Sequence, residues 1–170
     1  LLQEAAVKLG ELNAYARLVP NVDLFIQLHV TKEAVTSSRI EGTQTGFDEA
    51  RLPEEEIMPS RLADWREVQN YSQALNYALA KVKELPISSR LLRETHRLLL
   101  DSVRGQEKQP GTFRVSQNWI GGADIKSAMF IPPHHNDLSD LLTDLENFWH
   151  EESSEMPLLI KTAISHYQFE

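Results

Sequence analysis

Ser37-Ser38-Arg39-Ile40-Glu41-Gly42 places two hydroxyls, a carboxylate and a glycine at the end of a helical pattern. At about 100° per residue, Ile26, Val30, Ala34, Ser37 and Glu41 share one narrow stripe. The first three are apolar and face a core, and the last two continue the stripe with a hydroxyl and a carboxylate. Gly42 supplies the left-handed residue that ends helices. A carboxylate in the last turn opposes the helix dipole at a cost of about 0.3–1 kcal/mol, and if buried it requires a cation or hydrogen-bond donors. Two readings fit these residues: a solvated last turn, or a carboxylate aimed into a site. Metal chemistry finds less support. His134 and His135 are adjacent and cannot both serve one helix-borne metal, and His29 with Glu33 is a single one-turn pair. With no His-Glu-x-x-His and no cysteine, the histidines read as solvated or structurally satisfied, and no metal ligand is assigned.

Ser37-x-x-x-Glu41-Gly42 resembles the Ser/Thr-x-x-x-Glu-Gly/Asn inhibitory motif of Fic-domain proteins, which transfer AMP from ATP onto protein hydroxyls. Other segments agree with that family in order and spacing: Pro20-Asn21, Pro110-Gly111-Thr112-Phe113-Arg114, Asn118-Trp119-Ile120-Gly121-Gly122, and Phe130-Ile131-Pro132-Pro133 before an acidic amphipathic helix. Together they cover most of the chain. The resemblance implies a mainly α protein, a Fic-like helical bundle with a small β-hairpin flap. It implies one domain over 1–170, with N-terminal helices in 1–60, an inhibitory helix at about 31–41, and the N-terminal and middle parts of the Fic domain in 61–170. By resemblance, Glu41 pairs with an arginine of the family signature and takes the space that the γ-phosphate of ATP needs, Ser37 supports that contact, and Gly42 closes the helix. Lys126, Ser127, Ala128, Met129, Phe130 and Ile131 resemble the Fic flap, which holds a target segment by strand addition. ATP is then the substrate, and magnesium is held by residues absent from this chain. The acceptor is a target protein or the protein itself, in the cytoplasm, and the resemblance leaves room for a homo-oligomer.

The Fic signature, His-x-Phe-x-Asp/Glu-Gly-Asn-Gly-Arg-x-x-Arg, has no match here. None of the seven glycines forms a Gly-x-Gly, and His166-Tyr167-Gln168-Phe169 puts its Phe three residues after the His instead of two. No catalytic residue is therefore carried over. Family order places the signature a few residues beyond Glu170. The chain also starts at Leu1 without a Met and stops inside the pattern Leu159, Ile160, Ala163, Ile164, Tyr167. It is expected to be a fragment cut before its catalytic loop, and to be inactive alone. Two alternatives stay open: a non-catalytic, acidic helical interaction module, or a Fic relative that transfers or removes another phosphate-containing group.

The elements that must position these residues read as mostly helical. Residues 1–18 are amphipathic, interrupted by Gly10, and Pro20 restarts the chain into the helix or helix pair ending at Glu41. A polar connection follows, with a helical turn around Phe47 to Leu52. Over 61–83, Trp65, Val68, Ser72, Leu75, Leu79 and Val82 repeat at three and four and predict one buried stripe. Ser88 suits an N-cap for a helix burying Leu91, Thr95, Leu98, Leu99 and Ser102. Residues 103–136 are punctuated by Gly105, Pro110, Gly111, Gly121, Gly122, Pro132 and Pro133, leaving strand-like runs at 117–120 and 128–131. Arg114 is expected to order its loop through carboxylates or carbonyls, and Trp65, Trp119 and Trp149 to anchor the core. Asn136 or Asp137 caps a helix presenting Leu138, Leu141, Leu142, Leu145, Phe148 and Trp149, and Pro157 opens the last helix as its first residue.

A chain of 170 residues is long enough for a real core. No apolar run approaches the ~18 residues of a membrane helix, so no membrane partner is expected. The net charge of −8 with scattered Lys and Arg argues against a nucleic-acid surface. The absence of cysteine fits a cytoplasmic protein.

Overall fold

The helix that leads to Glu41 is one of six α-helices among the residues described by the computed structural model, which are 1–104, 109–151 and 155–169. Gly105 lies outside them. The chain divides into two units: Leu1–Leu85 with Glu94–Pro110, and Pro86–Arg93 with Gly111–Glu170.

In the first unit, α1 (Leu2–Ala16) runs through Gly10 without a break and buries none of its residues. The predicted interruption does not occur, because one glycine costs a helix only about 1 kcal/mol relative to alanine. Helix α2 (Val22–Ile40) is opened by Asn21, whose side chain accepts the Leu24 N–H at 2.9 Å. Its buried residues are Val30, Ala34, Val35 and Ser38. That face centres between Ala34 and Ser38, so Ile26 is exposed and Ser37 lies at the edge. Glu41 follows the last helical residue and is exposed, as is Ile40. The sequence stripe thus predicted the helix and misplaced its margins.

Helix α2 packs on α3 (Leu62–Lys81). Ala34, Val35, Ala50 and Val68 form the core, with Tyr71 against it. Ala50 comes from a 3-10 turn, Glu49–Arg51, in the predicted connection; Gln69 Nε2 donates to its carbonyl at 2.7 Å. Along α3 only Val68 and Ala74 are buried. Trp65, Ser72 and Leu75 are half-buried, and Leu79 and Val82 are exposed, so the predicted stripe loses its cover towards the C-terminus.

Thr43 and Thr45 are buried, and among the described residues neither hydroxyl finds a hydrogen-bond partner. An unmatched buried hydroxyl costs about 1–3 kcal/mol, and an apolar isostere removes that cost. Thr45→Val is therefore expected to stabilise the protein by about 1–2 kcal/mol, raising the melting temperature by about 2–6 °C in a thermal melt. A lower melting temperature would show that the hydroxyl is bonded in solution.

Helix α4 (Ser89–Leu99) gives its residues up to Arg93 to the second unit and the remainder to the first. Ser88 is its N-cap, accepting the Leu91 N–H at 3.4 Å. Leu91 is buried and Thr95, Leu98 and Leu99 are half-buried, whereas Ser102 is exposed beyond the helix end. In the second unit, α5 (Leu138–His150) buries Leu145 and packs on α6 (Leu158–Phe169). Glu146 of α5 accepts the Ser89 N–H at 2.6 Å. Hydrogen bonds from the Ser89 side chain and then its backbone hold the Glu146 carboxyl below the usual range. Lys161 donates to the carbonyls of Trp149 and Glu151 at 3.0 and 3.1 Å, placing a cation where the α5 dipole is negative. Two caps differ from expectation. A 3-10 turn, His135–Asp137, precedes α5, and His134 accepts the Asn136 N–H, so neither Asn136 nor Asp137 caps by its side chain. Pro157 sits just before α6, its carbonyl accepting from Ile160 and Lys161.

No strand forms among the described residues, so the predicted hairpin is corrected. Residues 117–120 and 128–131 meet only through one antiparallel bridge, Ile120 to Phe130. Met129 and Phe130 both donate to Ile120 O, at 2.9 and 3.2 Å. Two residues opposite one is bulge geometry and disrupts the ladder, and Pro132 and Pro133 bring no donors to extend it. No helix among the described residues is long and apolar enough to cross a membrane.

Candidate functional site

The end of α2 is built by its own backbone. Gly42 adopts φ +101°, donating to Arg39 O at 3.1 Å, while Thr43 donates to Ser38 O at 3.1 Å. This pair of bonds is a Schellman motif, and it depends on a residue that tolerates the left-handed region. Glu41 caps the helix at φ −81°, ψ 0°. Its carboxylate is exposed and makes no ion pair with another described residue. An acidic group at the negative end of a helix dipole is disfavoured until a cation reaches it. Ser37 does not serve Glu41 here. Its Oγ donates to Glu33 Oε1 at 2.8 Å and accepts from Tyr71 Oη at 3.4 Å. Tyr71 was absent from the predicted α3 stripe, although its position three residues after Val68 was a usable signal.

Beyond Gly42 the chain is pinned to the start of α3. The Gln44 N–H donates to Asp64 Oδ2 at 2.8 Å. Arg61 Nη2 donates to Gln44 O, and Nη1 donates to Gln44 Oε1 at 3.1 Å. The same guanidinium reaches Glu49 through Nε at 3.2 Å and Nη2 at 2.7 Å, and Glu49 also accepts the Gly46 N–H at 3.3 Å. The Arg61 hydrogen bond is the main cause that holds the Glu49 carboxyl below its ordinary range, against partial burial. Arg104 braces this end of α3 through Glu67, at 2.5 and 2.9 Å, and Asp64, at 3.2 Å.

The second candidate lies in the loop closed by the Ile120–Phe130 bridge. Gly121 and Gly122 have φ +71° and +75°, and a Cβ on Gly122 would lie 2.3 Å from Ser127 O. Asp124 Oδ1 accepts from the amides of Lys126 and Ser127 at 3.0 and 2.9 Å and from Ser127 Oγ at 2.9 Å. The Ser127 hydroxyl first, then its amide, holds the Asp124 carboxyl below its usual range. Of the predicted flap residues, Lys126, Ser127, Met129, Phe130 and Ile131 are exposed and Ala128 is half-buried. Met129 is 88 % exposed; Trp119 is also exposed, and so is not the core anchor expected. Arg114 orders the loop through carbonyls, donating to Ser116 O at 3.2 Å and to Pro133 O. This loop can present an apolar edge to an extended segment.

Among the described residues no three His, Asp or Glu converge as metal ligands. No curated protein matches the chain. The Fic/DOC family N-terminal model matches residues 1–80. That match takes in α1, α2 with its Glu41–Gly42 end, the pinned connection, and all of α3 except its last residue. Residues 1–80 are thus similar to the N-terminal region of the Fic/DOC family.

Proposed function

We propose that the chain is the self-inhibitory and target-docking part of a protein adenylyltransferase. In that reaction a hydroxyl of the target, or of the protein itself, attacks the α-phosphate of ATP. A phosphate ester to AMP forms and pyrophosphate leaves. The base, the phosphate-binding turn and the magnesium ligands belong to the family signature, which these 170 residues do not contain. What this chain contributes is restraint and grip. Glu41 meets a signature arginine in a charge-assisted pair and fills the space of the γ-phosphate, so ATP binds unproductively. The 120–131 loop holds the acceptor segment. The setting is cytoplasmic.

The carrying observation is the Glu41 carboxylate, exposed and unpaired among the described residues at the end of α2, inside the segment matched by the family model. The test uses the protein that carries this chain together with a Fic signature, incubated with ATP labelled at the α- or the γ-phosphate. Label should enter protein from α-labelled ATP only, and the 170 residues alone should transfer none. Transfer of γ-label would make the protein a kinase and end this reading; transfer from a different nucleotide or phosphate donor would make it a Fic relative of other specificity. A second reading, a non-catalytic interaction module, is favoured by α1, where Leu2, Val7, Leu9, Leu12 and Tyr15 are all exposed. Absence of all transfer with the signature present would select it.

A further inference from the structure

Resting on the inhibitory reading of Glu41, we propose that Arg61 is a positioning residue for that carboxylate. Its guanidinium clamps the chain that leaves the inhibitory helix. Glu41 has no partner of its own among the described residues, so its direction is set by the backbone on either side. On one side stands the Schellman turn to Ser38 and Arg39. On the other, residues 43–46 run without helix or strand, with Thr43 and Thr45 turned inward and Gln44 outward. Thr43 and Thr45 add no side-chain hydrogen bonds. The polar hold falls to Gln44 and Gly46, and four groups there are taken by three side chains. Asp64 takes the Gln44 amide, Arg61 takes its carbonyl and its side-chain oxygen, and Glu49 takes the Gly46 amide. Arg61 links these, because the same guanidinium holds both oxygens of Glu49.

Only a planar fork can do this. Arginine offers five donors in fixed directions, whereas the lysine ammonium is a point from which three donors radiate. Arg61→Lys keeps the charge at the start of α3 and loses the simultaneous grip on Gln44 and Glu49. Gln44 is then held by Asp64 alone, Glu49 keeps the Gly46 amide without its link to Gln44, and the Glu41 carboxylate samples directions that leave the γ-phosphate space open.

The test uses the signature-bearing protein, with wild-type and Glu41→Gly backgrounds and Arg61→Lys in each. Hydrogen exchange of residues 43–46 should quicken in Arg61→Lys while exchange in the middle of α3 stays unchanged. Self-modification with α-labelled ATP should rise by about two- to tenfold, the weight of one or two hydrogen bonds. In the Glu41→Gly background the same substitution should add nothing, because there is no carboxylate left to position. A merely structural role would lower activity in both backgrounds, and that result overturns the proposal. So do unchanged exchange, unchanged activity, or a gain that persists without Glu41. If Arg61→Lys does not fold, Glu49→Gln loosens the guanidinium from its other side and carries the same expectations. A Glu41→Gly protein no more active than wild type removes the inhibitory reading and the clamp together. An activating Glu41→Gly beside a silent Arg61→Lys removes the clamp alone.

Discussion

Glu41→Gly is expected to raise transfer activity by about ten- to a hundredfold with little change in melting temperature, the yield of losing one charge-assisted pair of about 1.5–3 kcal/mol. The sign is what makes the experiment decisive. Removing one partner of a buried structural ion pair destabilises a fold and lowers activity. Glu41 is exposed, beyond the last residue of α2, and no described residue pairs with it. Its removal relieves a carboxylate at the negative helix end, while an extra glycine adds chain entropy of about 0.5–1 kcal/mol. These terms nearly cancel. The gain is to be read as α-label incorporation per unit time, beside a thermal melt of both proteins. A folded Glu41→Gly protein with unchanged activity would refute the inhibitory assignment.

Gly122→Ala should act on the acceptor instead of the nucleotide. The new Cβ would stand 2.3 Å from Ser127 O and 2.6 Å from its carbonyl carbon, both backbone atoms, at a φ of +75°. Neither neighbour can swing aside as a side chain would. The loop must open, at a cost of about 1–3 kcal/mol, and with it go the turn held by Asp124 and Ser127 and the bridge from Ile120 to Phe130. Modification of a protein target should fall at least about tenfold, as loss of 1.4 kcal/mol or more of docking energy dictates, while ATP affinity and the helical melt stay near wild type. Gly121→Ala is the control. There the closest atoms are Met129 Cγ at 2.8 Å and Sδ at 2.9 Å, on a flexible side chain that is itself exposed. Equal loss of ATP binding in Gly122→Ala would mean general damage, and the docking role would fall. Proline at Met129 is a poorer probe, since the Met129 N–H closes the bridge.

What could be read from the sequence follows from the range of the forces involved. The start of α2 at Asn21 and its end at Gly42 are local events, fixed by one side chain and one left-handed residue, and both were legible. So were α3 and α5, whose apolar repeats follow the helix period. The margins of the buried faces were not. Ile26 and Leu79 lie on the right stripes, but exposure depends on whether another element reaches that far. The runs at 117–120 and 128–131 signalled extended chain, which does not say how many rungs will pair; a bulge left one. The Arg61–Glu49–Gln44 arrangement was invisible for another reason. Its partners stand 12 and 17 residues apart, and no periodicity links them. The inhibitory reading of Ser37, Glu41 and Gly42 rests on resemblance, since these residues alone fit a solvated helix end equally well.

Helix α1 carries a consequence for how the molecule melts. Its order rests chiefly on its own backbone ladder and short-range pairs such as Lys8–Glu11 at 2.7 Å, because it buries none of its residues. A helix of 15 residues with no buried face is close to its coil transition in water, since helices shorter than about 12–15 residues are marginal there. It is thus a separate cooperative unit, whose opening free energy is set near zero while that of α2 and α3 follows the whole domain. Circular dichroism of this chain should therefore mix two temperatures, a broad loss belonging to α1 and a sharp one belonging to the helices that hold Glu41.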